Sequence, residues 1–166
     1  MKITSQDIAF TAIIAALYAV LTLCCYPFAF LGIQFRLSEI FIFLVFFNRK
    51  YAFGLVLGCA LANLASPLGF YDALFGTLAT VLAVIALAFI PYLAIDLLLA
   101  VVFNAFIVGA ELYFLLGEAF WLSTGLVAIG EAAVLTIGYI FFFIMKRKSP
   151  NFFKIIQANR NLDYKF

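Results

Sequence analysis

Histidine is absent from this 166-residue sequence, and charged residues make up only 11% of it. The chain therefore lacks the commonest general base and metal ligand of proteins, and it cannot form a Ser–His or Cys–His catalytic pair. It also has no glycine-rich loop ending in Lys-Ser or Lys-Thr, the motif that cradles nucleotide phosphates. We therefore expect no enzyme activity, no catalytic residue, no metal and no cofactor, and we assign any ATP hydrolysis to other chains.

Hydrophobic residues, by contrast, make up 68% of the chain, and 22 residues are phenylalanine. A soluble domain contains about 45–50% apolar and about 25% charged residues. Spans of about 20 residues leave room for five or six helices. We predict an all-α integral membrane protein with six transmembrane helices in residues 1–148, followed by a basic and aromatic cytoplasmic tail, residues 149–166. The cysteines Cys24, Cys25 and Cys59 lie in apolar runs and are expected to be packed thiols.

Proline, glycine and polar clusters divide the apolar sequence into segments. Pro91 is the one strong break between Ala73 and Leu116, a stretch that would be ~66 Å long as a single helix, so we predict a hairpin near it. The tail mixes basic and aromatic residues, as a segment on a lipid headgroup surface does. The predicted helices run from Asp7 to about Tyr26, Leu37 to about Phe47, Tyr51 to about Leu64, Ala73 to about Phe89, Leu93 to about Leu115, and from the turn 117–121 to Met145.

The short loops predict the orientation of the chain. With six helices, the basic residues Lys2, Arg49, Lys50 and 146–148 fall on one side of the membrane, and Arg36 is the single basic residue on the other. Cytoplasmic loops carry the excess of lysine and arginine. We therefore expect both termini in the cytoplasm and the loops 27–34, 66–72 and 117–121 outside.

Arg36 and Glu39 stand three residues apart in an otherwise apolar run. An ionisable side chain at membrane depth costs about 2.5–3.5 kcal/mol on insertion scales, so it is expected to face a protein interior, a cavity or a ligand. Other polar residues fall towards the same predicted end, and Asn104 and Glu111 share one face of a helix. The predicted substrate-binding residues are Arg36, Glu39, Asn63, Asp72, Asn104, Glu111, Trp121 and Glu131.

Plainer interpretations exist for several of these residues. Asn63, together with Ser66, Thr77 and Thr80, has the side-chain type that joins neighbouring helices by hydrogen bonds. Asp72 suits a helix N-cap, Arg36 could simply pair with Glu39, and Trp121 is typical of a membrane interface. One arginine, however, cannot neutralise Glu39, Glu111 and Glu131 together. This acidic excess favours a cationic or donor-rich ligand, such as the N–H edge of a guanine-like base.

The first predicted helix is rich in alanine at spacings of four. The pairs Ala12–Ala16 and Ala15–Ala19 are small-xxx-small patterns, which allow another helix to approach closely. Two interpretations remain open: packing within this protein, or a docking face for a separate membrane subunit.

At these residues the chain resembles the QueT family, the substrate-capturing S components of energy-coupling factor (ECF) transporters for queuosine precursors. The resemblance covers nearly all of Asp7 to Lys146. It rests on the alanine-rich first helix, Ile33–Glu39, Ala62–Gly69 with Asp72, Phe75–Thr77, Phe103–Glu111, Phe120-Trp121 and Gly130-Glu131.

The resemblance implies a six-helix S-component bundle in a bacterial plasma membrane. It implies a T subunit that contacts the first helix at Ala12, Ala16 and Ala19, and two cytoplasmic ATPases. The pocket would be lined by Glu39, Asn104, Glu111 and Glu131, and the substrate would be 7-aminomethyl-7-deazaguanine or a close relative. No nucleic-acid partner is implied.

Three other functions fit the sequence less well. One is a stand-alone transporter coupled to protons through the glutamates, although the chain lacks the paired repeats common in such folds. Another is an intramembrane enzyme using buried carboxylates, but no nucleophile or metal set accompanies them. The third is an S component for a different vitamin.

Overall fold

The computed structural model describes residues 5–30 and 33–161, and every regular element in these ranges is helical. This confirms the all-α prediction. Two short 3₁₀ helices, Leu37–Phe41 and Arg49–Tyr51, precede α3 and α4 directly. The α-helices are α1 Ser5–Cys24, α2 Tyr26–Phe30, α3 Ile42–Phe47, α4 Ala52–Leu64, α5 Phe70–Phe89, α6 Leu93–Leu116, α7 Phe120–Lys148 and α8 Pro150–Ile155.

Four helices in the described ranges, α1, α5, α6 and α7, are long and apolar enough to cross a membrane. The protein is therefore a multi-pass membrane protein. The apolar segment Leu37–Phe47 and the 13-residue α4 are shorter than a typical span of about 20 residues. The predicted count of six transmembrane helices is therefore not confirmed by helix length.

The breaks between the long helices have local causes. Ile90 adopts an extended conformation (φ −88°, ψ 132°) before Pro91, as residues before proline do, and this separates α5 from α6 close to the predicted hairpin. Gly117 ends α6 in the left-handed region (φ 71°), where glycine is favoured. Pro27 differs from expectation: α1 ends at Cys24, but Pro27 lies inside the first turn of α2, where its missing N–H is tolerated.

One end of the bundle, which we call the tail end, gathers the start of α1, the 3₁₀ helix Arg49–Tyr51 and the tail. Lys50 forms an ion pair with Asp7 (Nζ–Oδ1 2.6 Å), and Tyr51 Oη donates to the Ile156 carbonyl oxygen (2.7 Å). The described basic residues of the predicted cytoplasmic side therefore share this end with the C-terminus of α7. Lys2, which was assigned to the same side, lies outside the described residues.

At the opposite end, which we call the site end, the three predicted outer loops meet. Gln34, Pro67 and Glu118 come from these three loops, and all three residues line one cavity. The three loops that were predicted to lie on one side therefore lie together at one end of the bundle.

The core lies between the two ends and is built around α3. All six residues of α3 are buried, and Phe47 packs between Phe142 of α7 and Phe153 of α8, with ring centroids 5.6 and 5.0 Å away. The tail therefore packs back onto the bundle at Phe153, while its expected position on a headgroup surface stays a prediction. Residues 162–166 of the predicted tail lie outside the described residues.

Helix α1 packs against α4 through small residues. A Cβ at Gly54 or Gly58 would lie 2.8 Å from the carbonyl oxygen of Thr11 or Ala15, so these glycines permit close backbone approach. Ala15 therefore serves packing within the chain. Ala12 and Ala16 are exposed on the opposite side of α1, and Ala19 is partly buried against the core.

Candidate functional site

The segment 33–39 enters the bundle across α7. A Cβ at Gly130 would overlap the carbonyl oxygen of Ile33 and lie 3.0 Å from that of Gln34, so only glycine leaves room for this crossing. Gln34 adopts a left-handed conformation (φ 51°), which is uncommon for a residue other than glycine. The Phe35 backbone N–H donates to the Phe28 carbonyl oxygen (2.6 Å), which ties the segment to α2. The chain is thereby turned so that the next residues, from Arg36 onwards, enter the interior.

Arg36 is buried at the centre of the site end. Its Nε donates to the Ala29 carbonyl oxygen (3.4 Å), and its guanidinium lies over the Phe30 ring, 5.3 Å from the centroid. Its Nη2 is buried and has no hydrogen-bond partner. Glu39 and Asp72 both interact with Arg36 electrostatically.

Glu39 is 1% exposed and is held by α1. Tyr18 Oη donates to Glu39 Oε1, while Glu39 Oε2 is buried without a partner. A second contact lies beside it, because the hydroxyls of Thr22 and Ser38 are 2.6 Å apart. The start of the 3₁₀ helix is thus fixed to α1 by two hydroxyl residues one helical turn apart.

Three further carboxyl groups approach Arg36 from different helices. Asp72 in the first turn of α5 adjoins Glu111 of α6, and Glu131 of α7 interacts with both Glu39 and Arg36. Both oxygens of Glu111, Glu131 Oε1 and Asp72 Oδ1 are buried without a partner. We call Arg36 together with Glu39, Asp72, Glu111 and Glu131 the acidic cluster. Such neighbouring carboxylates cannot all stay ionised beside one arginine alone: either another cation joins them or some of them bind a proton.

The two predicted asparagines have local partners. Asn63 Nδ2 donates to Cys59 Sγ (3.3 Å), and Asn104 Nδ2 donates to the Ala100 carbonyl oxygen one turn earlier (3.3 Å). Asn63 lies beside the cluster, since a Cβ at Gly76 would lie 2.5 Å from its Nδ2 and 3.3 Å from an Arg36 nitrogen. Asn104 is buried on the same face of α6 as Glu111, about two turns away.

The plainer interpretation holds for Thr80, but it does not hold for Asp72 or Arg36. Thr80 Oγ1 lies 3.2 Å from Cys59 Sγ and so joins α5 to α4, as expected for a helix-bridging residue. Asp72 is not the N-cap of α5: Gly69 occupies that position, and no side chain caps the helix. In the described ranges no ion pair links Arg36 to Glu39.

Trp121 is not brought together with the acidic cluster. Its side chain is 75% exposed and packs edge-on against Phe106 and Phe120, on the outer surface of α6 and α7. It is the one predicted site residue with a largely exposed side chain, and this position is typical of an interface aromatic.

A cavity of about 640 Å³ opens among the three loops at the site end. This volume is in the range of small-molecule sites, about 300–1,000 Å³. Asp72 joins the cavity to the acidic cluster, because it lines the cavity and interacts with Arg36 and Glu111. Other residues lining the cavity are Phe30, Gln34, Leu112, Glu118, Ser123 and Leu126.

Several polar residues of this region were not predicted from the sequence. Tyr18 and Thr22 are spaced by four in an otherwise apolar stretch of α1, and this pattern could have placed them on the inner face. Glu118 and Ser123 form a hydrogen bond (2.6 Å) across the start of α7, and both line the cavity. No sequence pattern marked these two residues, because they lie in and beside a turn.

Comparison with known proteins identifies the family. A family model described as QueT transporter matches residues 8–147. The curated queuosine precursor transporter QueT of Lactococcus lactis subsp. cremoris (strain MG1363) is 32% identical over an alignment of 162 positions, and the match covers 82% of this chain and 90% of that protein. No solved structure shows a significant match. Family and relative are both transporters, which confirms the prediction of a transport protein rather than an enzyme. The chain therefore belongs to the QueT transporter family.

Proposed function

We propose that this chain is the substrate-binding S component of an ECF-type uptake transporter for a queuosine precursor, 7-aminomethyl-7-deazaguanine or a close relative. One observation carries the proposal: a single arginine lies among four buried carboxylates with unpartnered oxygens, and one of these carboxylates, Asp72, lines a ligand-sized cavity. Unpartnered buried acceptors cost about 1–3 kcal/mol each, and more when charged, so a donor-rich cationic ligand would relieve them.

The proposed ligand matches this acidic excess. An aminomethyl deazaguanine carries an ammonium group and the N–H donors of a guanine edge, and ionised carboxylates accept such donors strongly. Among the predicted residues, Glu39, Asp72, Glu111 and Glu131 would accept donors, and Arg36 would face an acceptor. Asn63 and Asn104 would contribute only after giving up the partners described above, and Trp121 only after moving inward.

The proposed transport cycle uses other subunits for energy. The substrate would enter at the outer face through the cavity among the three loops. A T subunit would dock on α1 at Ala12, Ala16 and Ala19, and two ATPases would drive release into the cytoplasm. The exposed apolar face of α1 supports this docking, since Ile13, Leu17 and Val20 are about half exposed beside the alanines.

The proposed topology has six membrane crossings and both termini in the cytoplasm of a bacterium. The Lys50–Asp7 ion pair supports it, because the start of α1 then lies at the same end as the tail. The basic residues gathered at that end follow the rule for cytoplasmic loops.

Calorimetric titration of the purified full chain in detergent with 7-aminomethyl-7-deazaguanine tests the proposal. We expect tight binding without partner subunits, and uptake into liposomes only when the T subunit, the ATPases and ATP are present. No heat of binding with any deazaguanine base would refute the proposed substrate. Binding of a different vitamin in the same assay would assign the chain to another S-component specificity.

The adjoining carboxyl groups of Asp72 and Glu111 favour a second candidate, a proton-coupled transporter that works alone. A carboxyl pair can take up or release a proton as its surroundings change. Accumulation of substrate in liposomes that contain only this chain and a proton gradient would support this candidate and exclude the first.

A further inference from the structure

Arg36 and Glu39 are buried residues of opposite charge on adjacent turns of chain, yet no ion pair joins them in the described structure. Other groups hold each of them. Arg36 is held by the Ala29 carbonyl oxygen and the Phe30 ring, and Glu39 by the Tyr18 hydroxyl. A direct pair would be expected if the side chains were free to relax, since an arginine can bind a carboxylate through two parallel hydrogen bonds.

The two residues keep complementary atoms without partners. Glu39 Oε2 is a hydrogen-bond acceptor and Arg36 Nη2 is a donor, and both are buried without a partner. Leaving both atoms unpaired is costly, and the cost disappears if a third group offers a donor to one and an acceptor to the other.

Tyr18 is the residue best placed to keep this arrangement. It is 1% exposed on α1, and its hydroxyl occupies Glu39 Oε1, so only Oε2 is free. The Thr22–Ser38 contact fixes the backbone of the same 3₁₀ helix to α1 from one turn further on. The carboxylate of Glu39 is therefore restrained both through its own oxygen and through its neighbour Ser38.

We propose that Tyr18 is a positioning residue that holds Glu39 away from Arg36, so that a ligand edge bridges the two. Such an edge must carry a carbonyl oxygen for Arg36 Nη2 beside an N–H donor for Glu39 Oε2. The lactam edge of a deazaguanine has this pattern, and a simple amine or a carboxylate does not. The inference rests on the proposed function and specifies which edge of the ligand the site reads.

A double-mutant cycle measured by calorimetry with 7-aminomethyl-7-deazaguanine tests the role of Tyr18. We expect Tyr18→Phe and Glu39→Gln each to weaken binding at least tenfold, and the double variant to bind within twofold of Glu39→Gln. Non-additivity is expected because Tyr18 acts through Glu39. The matched control is Tyr113→Phe, which alters a half-exposed tyrosine on α6 and should leave the affinity unchanged.

Tyr18→Phe binding as tightly as wild type, or losses that add in the double variant, would overturn the inference and leave the proposed substrate standing. No binding by the wild type would refute the proposed function itself, and this inference with it.

A second measurement uses only the wild-type chain, so it does not depend on the folding of a variant. 2-Amino-7-deazapurine, which lacks both the carbonyl oxygen and the adjacent N–H, should bind at least tenfold more weakly than 7-deazaguanine, because Arg36 Nη2 and Glu39 Oε2 would both stay unpaired. Equal affinities for the two bases would overturn the inference that a ligand edge bridges Arg36 and Glu39.

Discussion

At the tail end, Tyr51, Asn48 and Asn161 each donate to a backbone carbonyl oxygen at 2.7–2.9 Å, whereas at the site end Arg36, Glu39 and Glu111 keep buried atoms without partners. A satisfied buried polar group is close to neutral or mildly stabilising, while an unsatisfied one costs about 1–3 kcal/mol. The hydrogen bonds of the tail end therefore serve stability, whereas the unpartnered atoms of the site end are typical of a ligand-binding site.

Asp96 and the Nη1 atom of Arg160 are exceptions at the tail end, and Asp96 makes this comparison testable. It is 0% exposed in the first turn of α6 at the tail end, and both its oxygens lack partners. Arg160 faces it electrostatically, and burial together with the neighbouring Arg49 lowers the pKa of Arg160. Asp96 is therefore a buried acid of the same kind as Glu111 but far from the cavity, and it provides a matched control.

The largest expected effect is a loss of stability at the tail end. Phe153→Ala removes a buried ring that packs on Phe47, and such truncations cost about 3–5 kcal/mol. Thermal unfolding in detergent should show a lower midpoint, while substrate affinity of the remaining folded protein stays unchanged. Ile155→Ala, on the same helix but 71% exposed, should leave the midpoint near wild type. Equal effects of the two variants would show that the tail does not pack as described.

At the site end, Glu111→Gln should lower substrate affinity without lowering stability. We expect affinity for 7-aminomethyl-7-deazaguanine to fall about hundredfold, since truncating one partner of a buried charged contact costs about 2–5 kcal/mol. The unliganded protein should unfold at the same or a higher temperature, because a buried carboxylate without a donor is removed. Asp96→Asn is the control, with unchanged affinity. If both variants lost affinity equally, the distinction between the two ends would be wrong.

Gly130→Ala probes how the site end is built. The added methyl group would collide with the main chain at Ile33 and Gln34, and overpacking of this kind costs about 1–3 kcal/mol. Both thermal stability and substrate affinity should fall, because the segment leading to Arg36 would shift. A Cβ at Gly125 on the same helix meets nothing within 4 Å, so Gly125→Ala should be tolerated. Loss of stability without loss of affinity would show that this crossing does not position the site.

The smallest expected effect belongs to Tyr51→Phe. The variant loses one hydrogen bond to the tail, which is worth about 1 kcal/mol. Burial raises the pKa of Tyr51 above its ordinary value of 10.0. The folded state therefore holds the phenol proton more tightly than the unfolded state, and stability from this group is present below about pH 10 and lost as pH rises further. Unfolding midpoints between pH 8 and 11 should fall more for wild type than for Tyr51→Phe, and parallel curves would contradict this.

The long helices were predictable because apolar length and strong breakers decide them. The predicted hairpin at Pro91 and the predicted end of the fifth helix near Leu115 lie within a residue or two of the structure. The short helix α2 was not predicted, since Pro27 reads as a breaker unless its position within a first turn is known. Whether Leu37–Phe47 and α4 cross a membrane is not decided by their length, because both are shorter than a usual span.

The acidic cluster was predictable in composition but not in detail. Charge in an apolar sequence marked Arg36, Glu39, Glu111 and Glu131, and the structure brings them together. Tyr18 was missed because tyrosine is common in apolar helices, and its hydrogen bond spans 21 residues. Trp121 shows the converse: its residue type suggested stacking on a ligand, but the direction of its side chain depends on helix rotation, which sequence does not specify.

The tail has a consequence for the order of folding. The backbone N–H groups of Asn159 and Arg160 both donate to the Phe47 carbonyl oxygen, and Asn48 reaches Gln157, 109 positions away. The carbonyl end of α3 is thus closed by residues that lie far later in the sequence. Until residues 157–160 have been synthesised, the carbonyl end of α3 lacks these partners, so this part of the bundle assembles only after α7 has been made.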